Sequence, residues 1–145
     1  MILDIIKYTD TYYGKLRKPN VDVKKENPFL NQLIKDMFET LNYYKFEFGL
    51  SAPQVGHNLN LFVINTPDLK EVFINPEIHL EGLIIQNKEE CLSFPGMQFA
   101  ANRRSNIEIK YYDSDWNLRI CKYKDLNSIA IQHEYDHLKG RLIID

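Results

Sequence analysis

The segment His133-Glu134-Tyr135-Asp136-His137 places two imidazoles four residues apart with a carboxylate between them. On an α-helix, positions i and i+4 lie about 40° apart on one face, so both rings can converge on one ion. Glu134, one step round, is placed to exchange a proton with water at that ion without ligating it. Two imidazoles do not close a metal site, and five letters recur by chance, so the motif needs a third donor. Only eight residues follow His137, too few for a ligand on a later helix. A third histidine past a glycine is the other known downstream pattern; Gly140 is present, but the histidine position holds Ile143. The donor therefore lies upstream. His57 follows a glycine in a loop-like stretch, and His79 sits in a strand-like run. Cys121 alternates with charged residues and reads as a small strand hydrophobe. Cys91 differs, lying in Glu89-Glu90-Cys91-Leu92-Ser93-Phe94-Pro95-Gly96, an irregular stretch that ends in a turn signal. A thiolate there would complete a Cys/His/His set with a fourth position open to water.

The elements that must position these groups are legible in outline. Leu126, Ile129, Ala130, His133 and His137 recur at helical spacing, Asp125 suits an N-cap and Gly140 a residue just past the end. This predicts a helix of about fourteen residues whose face is apolar before it becomes metal-binding. Upstream, Asn27 as cap and Pro28 as first residue predict an amphipathic helix whose buried face is Phe29, Leu30, Leu33, Ile34, Met37, Phe38, Leu41 and Tyr44. Gly49 to Gly56 reads as a loop with glycine at each end. Short strands are predicted at Leu59–Asn65, Glu71–Ile74 and Leu83–Gln86, the first two joined around Pro67-Asp68. Alternation over Asn106–Tyr112 and Leu118–Tyr123, flanking Asp113-Ser114-Asp115-Trp116-Asn117, predicts a hairpin. A helix, a run of strands and a last helix indicate an α+β fold, with antiparallel strands around a central C-terminal metal-binding helix.

A chain of 145 residues is enough for one domain with a real core, and 1–145 is read as one catalytic domain. The net charge of −2, with no basic patch, argues against nucleic acid as a partner. Apolar runs are too short to cross a membrane. Two distant cysteines with no secretory signal argue against a disulfide framework and for a reducing cytoplasm.

Three stretches in order, Gly49-Leu50-Ser51-Ala52-Pro53-Gln54-Val55-Gly56, Glu89-Glu90-Cys91-Leu92-Ser93 and His133-Glu134-Tyr135-Asp136-His137, closely resemble the three signature motifs of peptide deformylase. Ile5 to Arg17, with Tyr8-Thr9-Asp10 and Leu16-Arg17, is similar as well, so the resemblance covers nearly the whole chain. There are departures. Glu47 stands where the first motif opens with glycine, Glu90 replaces the glycine of Glu-Gly-Cys, and Gln98 stands where many members carry an arginine near the substrate entrance. Bacterial members also continue into a further C-terminal helix, without which this sequence ends. That brevity suits a compact, virus-encoded member acting in its host's cytoplasm, with weak or absent ribosome docking by that route.

The resemblance implies removal of formate from the N-formyl-methionine of new polypeptides, by a monomer. It assigns one divalent ion to Cys91, His133 and His137. Fe(II) is the implied working ion, with Zn(II), Ni(II) or Co(II) as substitutes. Glu134 is the implied proton carrier, and the Gln54 amide and Leu92 N–H the implied oxyanion donors. Gly49 would allow close approach of the first-motif backbone to substrate. Phe48, Leu126, Ile129 and Ala130 would form the methionine pocket, and Glu89 and Arg103 a pair bracing the cysteine loop. Two other readings stand beside this one. A related metal-dependent amidase or peptidase would have its substrate choice changed by Glu47, Glu90 and Gln98. An inert peptide-binding relic would not be expected to keep Glu134 and all three ligands.

Overall fold

A computed structural model of the chain describes residues 1–45 and 47–145. Its elements are helix α1 (Leu30–Tyr43), strands β1 (Gly49–Ser51), β2 (Leu61–Thr66), β3 (Leu69–Cys91), β4 (Phe94–Tyr112) and β5 (Leu118–Lys124), and helix α2 (Asp125–Leu138). The strands form one antiparallel sheet in the order β1-β2-β3-β4-β5, so each pairs with its neighbours in sequence. The α+β class and the antiparallel strands agree with the sequence reading.

The first four residues of β2, Leu61-Phe62-Val63-Ile64, are all apolar because both faces of the strand are covered there. Leu61 and Val63 join Leu33, Met37 and Leu41 of α1 in one core cluster. Phe62 and Ile64 join Phe73, Ile107, Ile109 and Tyr111, with Ile131 and Leu138 of α2, in another. The two helices thus lie on opposite faces of β2, and side-chain alternation along the strand assigns each residue to one of them.

Several expectations need correction. The predicted strands Glu71–Ile74 and Leu83–Gln86 are parts of one 23-residue strand, β3, which runs on to Cys91. Its register shifts at Ile74/Glu77, Glu81/Ile84 and Glu89/Cys91 break the alternation that the sequence pattern relies on. At the second shift Gly82 has φ +76°, and a Cβ there would lie 2.2 Å from Ser105 Oγ, so the kink requires glycine. Phe94-Pro95-Gly96 opens β4 instead of ending a loop; Cys91 pairs with Phe94, which leaves Leu92-Ser93 as the turn. Helix α1 begins at Leu30 with Phe29 at its N-cap, later than Asn27-Pro28 suggested. Phe29, expected on the buried face, is 76% exposed. Asn27 instead closes the preceding turn, its Oδ1 accepting from Phe29 N–H at 2.9 Å. Asp125 is not the N-cap of α2; it is the first helical residue, with φ +53°, and Lys124 holds the cap position. The length of fourteen residues is as predicted, and Gly140 (φ +70°) follows the helix. No helix among the described residues is long and apolar enough to cross a membrane.

Candidate metal centre

Cys91 is the last residue of β3, at a two-residue turn, and it is buried. The N-terminal segment holds that turn in place. Tyr8 N–H donates to Ser93 O at 3.0 Å and Ile6 N–H to Gln54 O at 2.8 Å, while Leu16 packs with Cys91, Phe94 and Leu142. The thiol faces α2. Cys91 Sγ lies 3.4 Å from His137 Nε2, and one ligand atom from each of Cys91, His133 and His137 falls within 4.8 Å of the others. His57 and His79 are exposed and lie outside this cluster, as does Cys121.

His133 is oriented from behind. Its Nδ1 is 2.8 Å from Glu89 Oε1, which leaves Nε2 facing the other donors. Glu89 is fixed in turn by Arg103, whose Nε and Nη2 donate to its two oxygens at 2.9 and 2.7 Å. The third arm of Arg103 reaches Asp136 of α2 at 2.7 Å. Burial opposes ionisation of Glu89, but the hydrogen bonds from Arg103 and His133 outweigh it and hold the carboxyl at about 2. The donor set fits an ion. A thiolate and two imidazoles on two rigid elements make a three-ligand site of the open kind, and the carboxylate behind His133 is the usual outer support for such a ring. Glu134 Oε2, buried beside the donors and without a protein partner, points the same way.

Glu134 lies beside the cluster, with Oε1 4.0 Å from His133 Nε2. Burial raises its pKa to about 7, against the opposing pull of His133. Gly49 makes room for it: a Cβ there would sit 2.6 Å from Glu134 Cγ and 3.0 Å from Oε1. The crowding at Gly49 therefore comes from this carboxylate, whereas the sequence reading attributed the glycine to approach of backbone to substrate. On the other side, Gln54 Nε2 is 3.5 Å from Cys91 Sγ and 3.2 Å from Ser93 Oγ. The amide cannot turn over easily, because its oxygen accepts from Ser51 N–H and Ser51 Oγ, each at 3.0 Å. Sequence reasoning missed Ser51, although Ser51-Ala52-Pro53-Gln54 has the spacing of a capping box. It also missed Asp136 as the far anchor of Arg103.

The centre opens into a cleft of about 340 Å³ lined by Phe48, Gly49, Leu126, Ile129, Ala130, His133 and Glu134, together with Glu47, Asn87, Lys88, Glu89, Glu90 and Gln98. All four residues expected to meet the methionine are present in its wall. Leu126 is 40% exposed and Ile129 half-buried, so they face the cleft; plain core packing had been nearly as good a reading for them. Of the helical face read from sequence, Ala130 alone also joins the core cluster, which α2 otherwise enters through Ile131 and Leu138. Leu92 forms half of the turn beside Cys91.

Residues 2–145 match the family model described as Polypeptide deformylase. A peptide deformylase of Karelsulcia muelleri is 41% identical, the alignment covering 100% of this chain and 78% of that protein. Among solved structures, peptide deformylase from Thermotoga maritima superposes with a TM-score of 0.92 at 33% identity, covering 100% of this chain and 97% of that one. A probable peptide deformylase from synechococcus phage S-SSM7 superposes with a TM-score of 0.88 at 28% identity, covering 99% and 98%. The three motifs meet at one centre, and the likeness runs from Ile2 to Asp145: the chain belongs to the polypeptide deformylase family.

Proposed function

We propose that the chain, acting as one catalytic domain over residues 1–145, hydrolyses the N-formyl amide of formyl-methionine on newly made polypeptides and releases formate. The observation that carries this is the placement of Glu134. A buried carboxylate is packed against Gly49 beside a Cys/His/His donor set, at the head of a cleft whose wall includes the apolar side chains of Phe48, Leu126, Ile129 and Ala130. Cys91, His133 and His137 would hold one divalent ion, which when bound supplies an activated water at neutral pH and polarises the formyl carbonyl. Glu134 accepts the proton of the attacking water and returns it to the leaving amine nitrogen. The Gln54 amide and the Leu92 N–H donate to the oxyanion that develops on the formyl oxygen, and Ser51 keeps the Gln54 N–H groups turned that way. Loss of one such donor typically lowers kcat by two to three orders of magnitude. Phe48, Leu126, Ile129 and Ala130 receive the methionine side chain. Neighbouring apolar side chains differ by only about 1–3 kcal/mol per methylene, so the preference for methionine is graded.

Ferrous iron is the working ion we assign, as the family resemblance implies, with nickel or cobalt as durable substitutes and zinc a less active one. A lone thiolate in an open site is vulnerable to the cysteine oxidation ladder, so iron protein should lose activity in air and nickel protein should keep it. The family resemblance implies that the chain acts as a monomer. Its place is the cytoplasm, where formylated chains emerge. Release of free amine from formyl-Met-Ala-Ser, acetyl-Met-Ala-Ser and the unblocked peptide, with formate measured for the first, tests the reaction, because a site shaped for a formyl hydrogen crowds an acetyl methyl. Comparable turnover of the first two peptides would point to a general amidase, and cleavage of the unblocked peptide to a peptidase.

A further inference from the structure

The two apolar walls of the cleft come from stretches far apart in sequence, yet both are tied to the same end of β2. On one wall, Phe48 O accepts from Asn65 N–H at 2.8 Å. On the other, the start of α2 carries Leu126 and Ile129 into the cleft. Thr66 follows Asn65 as the last residue of β2, and its side chain reaches that helix. Thr66 Oγ1 donates to Asn127 Oδ1 at 2.7 Å, with Asp68 Oδ1 a longer acceptor at 3.2 Å. Asn127 Nδ2 donates in turn to Asp68 Oδ1 at 3.1 Å, which closes a triangle between the β2–β3 turn and the helix. Thr66 is buried, so water competes little for its hydroxyl.

The first turn of α2 needs such a tie. Asp125 opens the helix at φ +53°, a conformation that L side chains rarely adopt and that the surroundings must hold. Lys124, at the cap position, makes no side-chain capping bond. Among the described residues, Leu126 and Ile129 join none of the core clusters, because they face the cleft. Polar contacts therefore fix the turn: Asn127 to the β2–β3 turn, and Ser128 Oγ to Arg104 O of β4 at 3.0 Å. Farther along, the helix is held independently. Ile131 and Leu138 pack in the core, and the Gln132 amide bonds both the N–H and the C=O of Arg104. His133, Glu134 and His137 belong to this second part. Neither Thr66 nor Asn127 lines the cleft, so each acts through its neighbours. We propose that Thr66 and Asn127 are positioning residues that set the width of the methionine pocket, by holding Leu126 and Ile129 at a fixed distance from Phe48. The inference rests on the deformylase reading and extends it to how this chain limits the side chain it accepts.

The test compares kcat/KM for formyl-Met-Ala-Ser and formyl-Phe-Ala-Ser in metal-loaded wild type, Thr66→Val, Thr66→Ser, Asn127→Ala and the double variant Thr66→Val/Asn127→Ala. Valine keeps the branching of threonine without the donor, and serine keeps the donor. An apolar pocket separates side chains that differ by a methylene by about 10–200-fold, and a wall released to move should give up part of that. The Met-to-Phe ratio should fall about three- to tenfold in Thr66→Val and in Asn127→Ala. The change should lie in KM, with kcat for formyl-Met-Ala-Ser and metal content within about twofold of wild type, because the second part of α2 keeps its own anchors. Thr66→Ser should retain the wild-type ratio, and the double variant should match the single ones, since the two residues share one bond. A Met-to-Phe ratio unchanged in both Thr66→Val and Asn127→Ala overturns the proposal, as does a ratio that falls as far in Thr66→Ser as in Thr66→Val. Turnover of formyl-Met-Ala-Ser by the wild type leaves the deformylase reading intact in either case. Absence of turnover on both peptides, in wild type with its metal loaded, overturns that reading and the inference with it.

Discussion

Replacing Gly49 by alanine should suppress turnover while leaving the metal centre filled. The added methyl would start 2.6 Å from Glu134 Cγ, whereas carbon atoms rest at about 3.5–4.0 Å. Contact can be restored only by a displacement of about 1 Å, and Glu134 is buried, so the carboxylate must move or the β1 backbone must. Misplacement of a reacting group by about 1 Å costs on the order of 10²-fold in rate. The overpacking itself should cost about 1–3 kcal/mol. Gly49 does not have a positive φ, so alanine suits its backbone and the effect is steric alone. The measurements are formate release under saturating formyl-Met-Ala-Ser, metal content per chain, and thermal unfolding of four proteins: wild type, Gly49→Ala, Glu134→Ala and the double variant. Kcat should fall about a hundredfold in Gly49→Ala with metal content unchanged. Its stability loss should disappear in the Glu134→Ala background, where the clash has no partner and the pair is strongly non-additive. Kcat within twofold of wild type, or an equal stability cost in both backgrounds, would refute the claim that this glycine exists to house Glu134.

Arg103→Met should leave Glu89 buried with only His133 and the Asn87 amide for partners and no fixed cation; we expect a loss of about 3–5 kcal/mol in denaturant unfolding and metal binding weakened by about 10–100-fold. Cys91→Ser should lose metal on dialysis, whereas Cys121→Ser should retain a full complement, since Cys121 packs beside the β4–β5 core and not at the centre. Asp145 is held at about 2, below its usual 3.8, by the Arg17 guanidinium and then the Leu142 N–H. A depressed folded pKa contributes stability above the ordinary pKa that is lost as pH falls through the folded one. Asp145→Asn should therefore lower Tm slightly at neutral pH, and the difference should shrink below about pH 4 and vanish only below pH 2. Both partners are more than a third exposed, so the neutral-pH loss should stay below about 1 kcal/mol.

How much the sequence reveals differs from element to element. Helix α2 and the Cys/His/His set were readable because ligand spacing is a local constraint and because so few upstream donors compete. The β2–β3 turn at Pro67-Asp68 and the hairpin at Asp113–Asn117 were readable for the same local reason, through turn chemistry. The long β3–β4 ribbon was not. Its three register shifts reset the alternation, so one strand reads as separate short ones, and Pro95-Gly96 carries a turn signal inside the first residues of β4. Leu126 and Ile129 show a different limit. An apolar side chain on a helix has the same sequence signature whether it faces a core or a substrate, and only the packed neighbours tell which. The outer anchors, Ser51 behind Gln54 and Asp136 behind Arg103, depend on contacts between elements, and Asp136 in particular has no local signature.

The order of the elements along the chain also governs how the centre comes into being. Each strand pairs with its sequence neighbours, so the sheet can zip up hairpin by hairpin as the chain is synthesised. Helix α2 is made after the whole sheet, yet it brings Ile131 and Leu138 to cover Phe62, Ile64, Phe73 and Ile109, and it carries two of the three metal donors together with Glu134. Until it emerges, one face of the nascent sheet presents bare aromatic and aliphatic surface, the state most open to aggregation. Docking of α2 covers that surface and brings His133, Glu134 and His137 against Cys91 in the same event. An incomplete chain is thus both sticky and inert, and the enzyme acquires its metal-binding capacity at the moment its core is sealed.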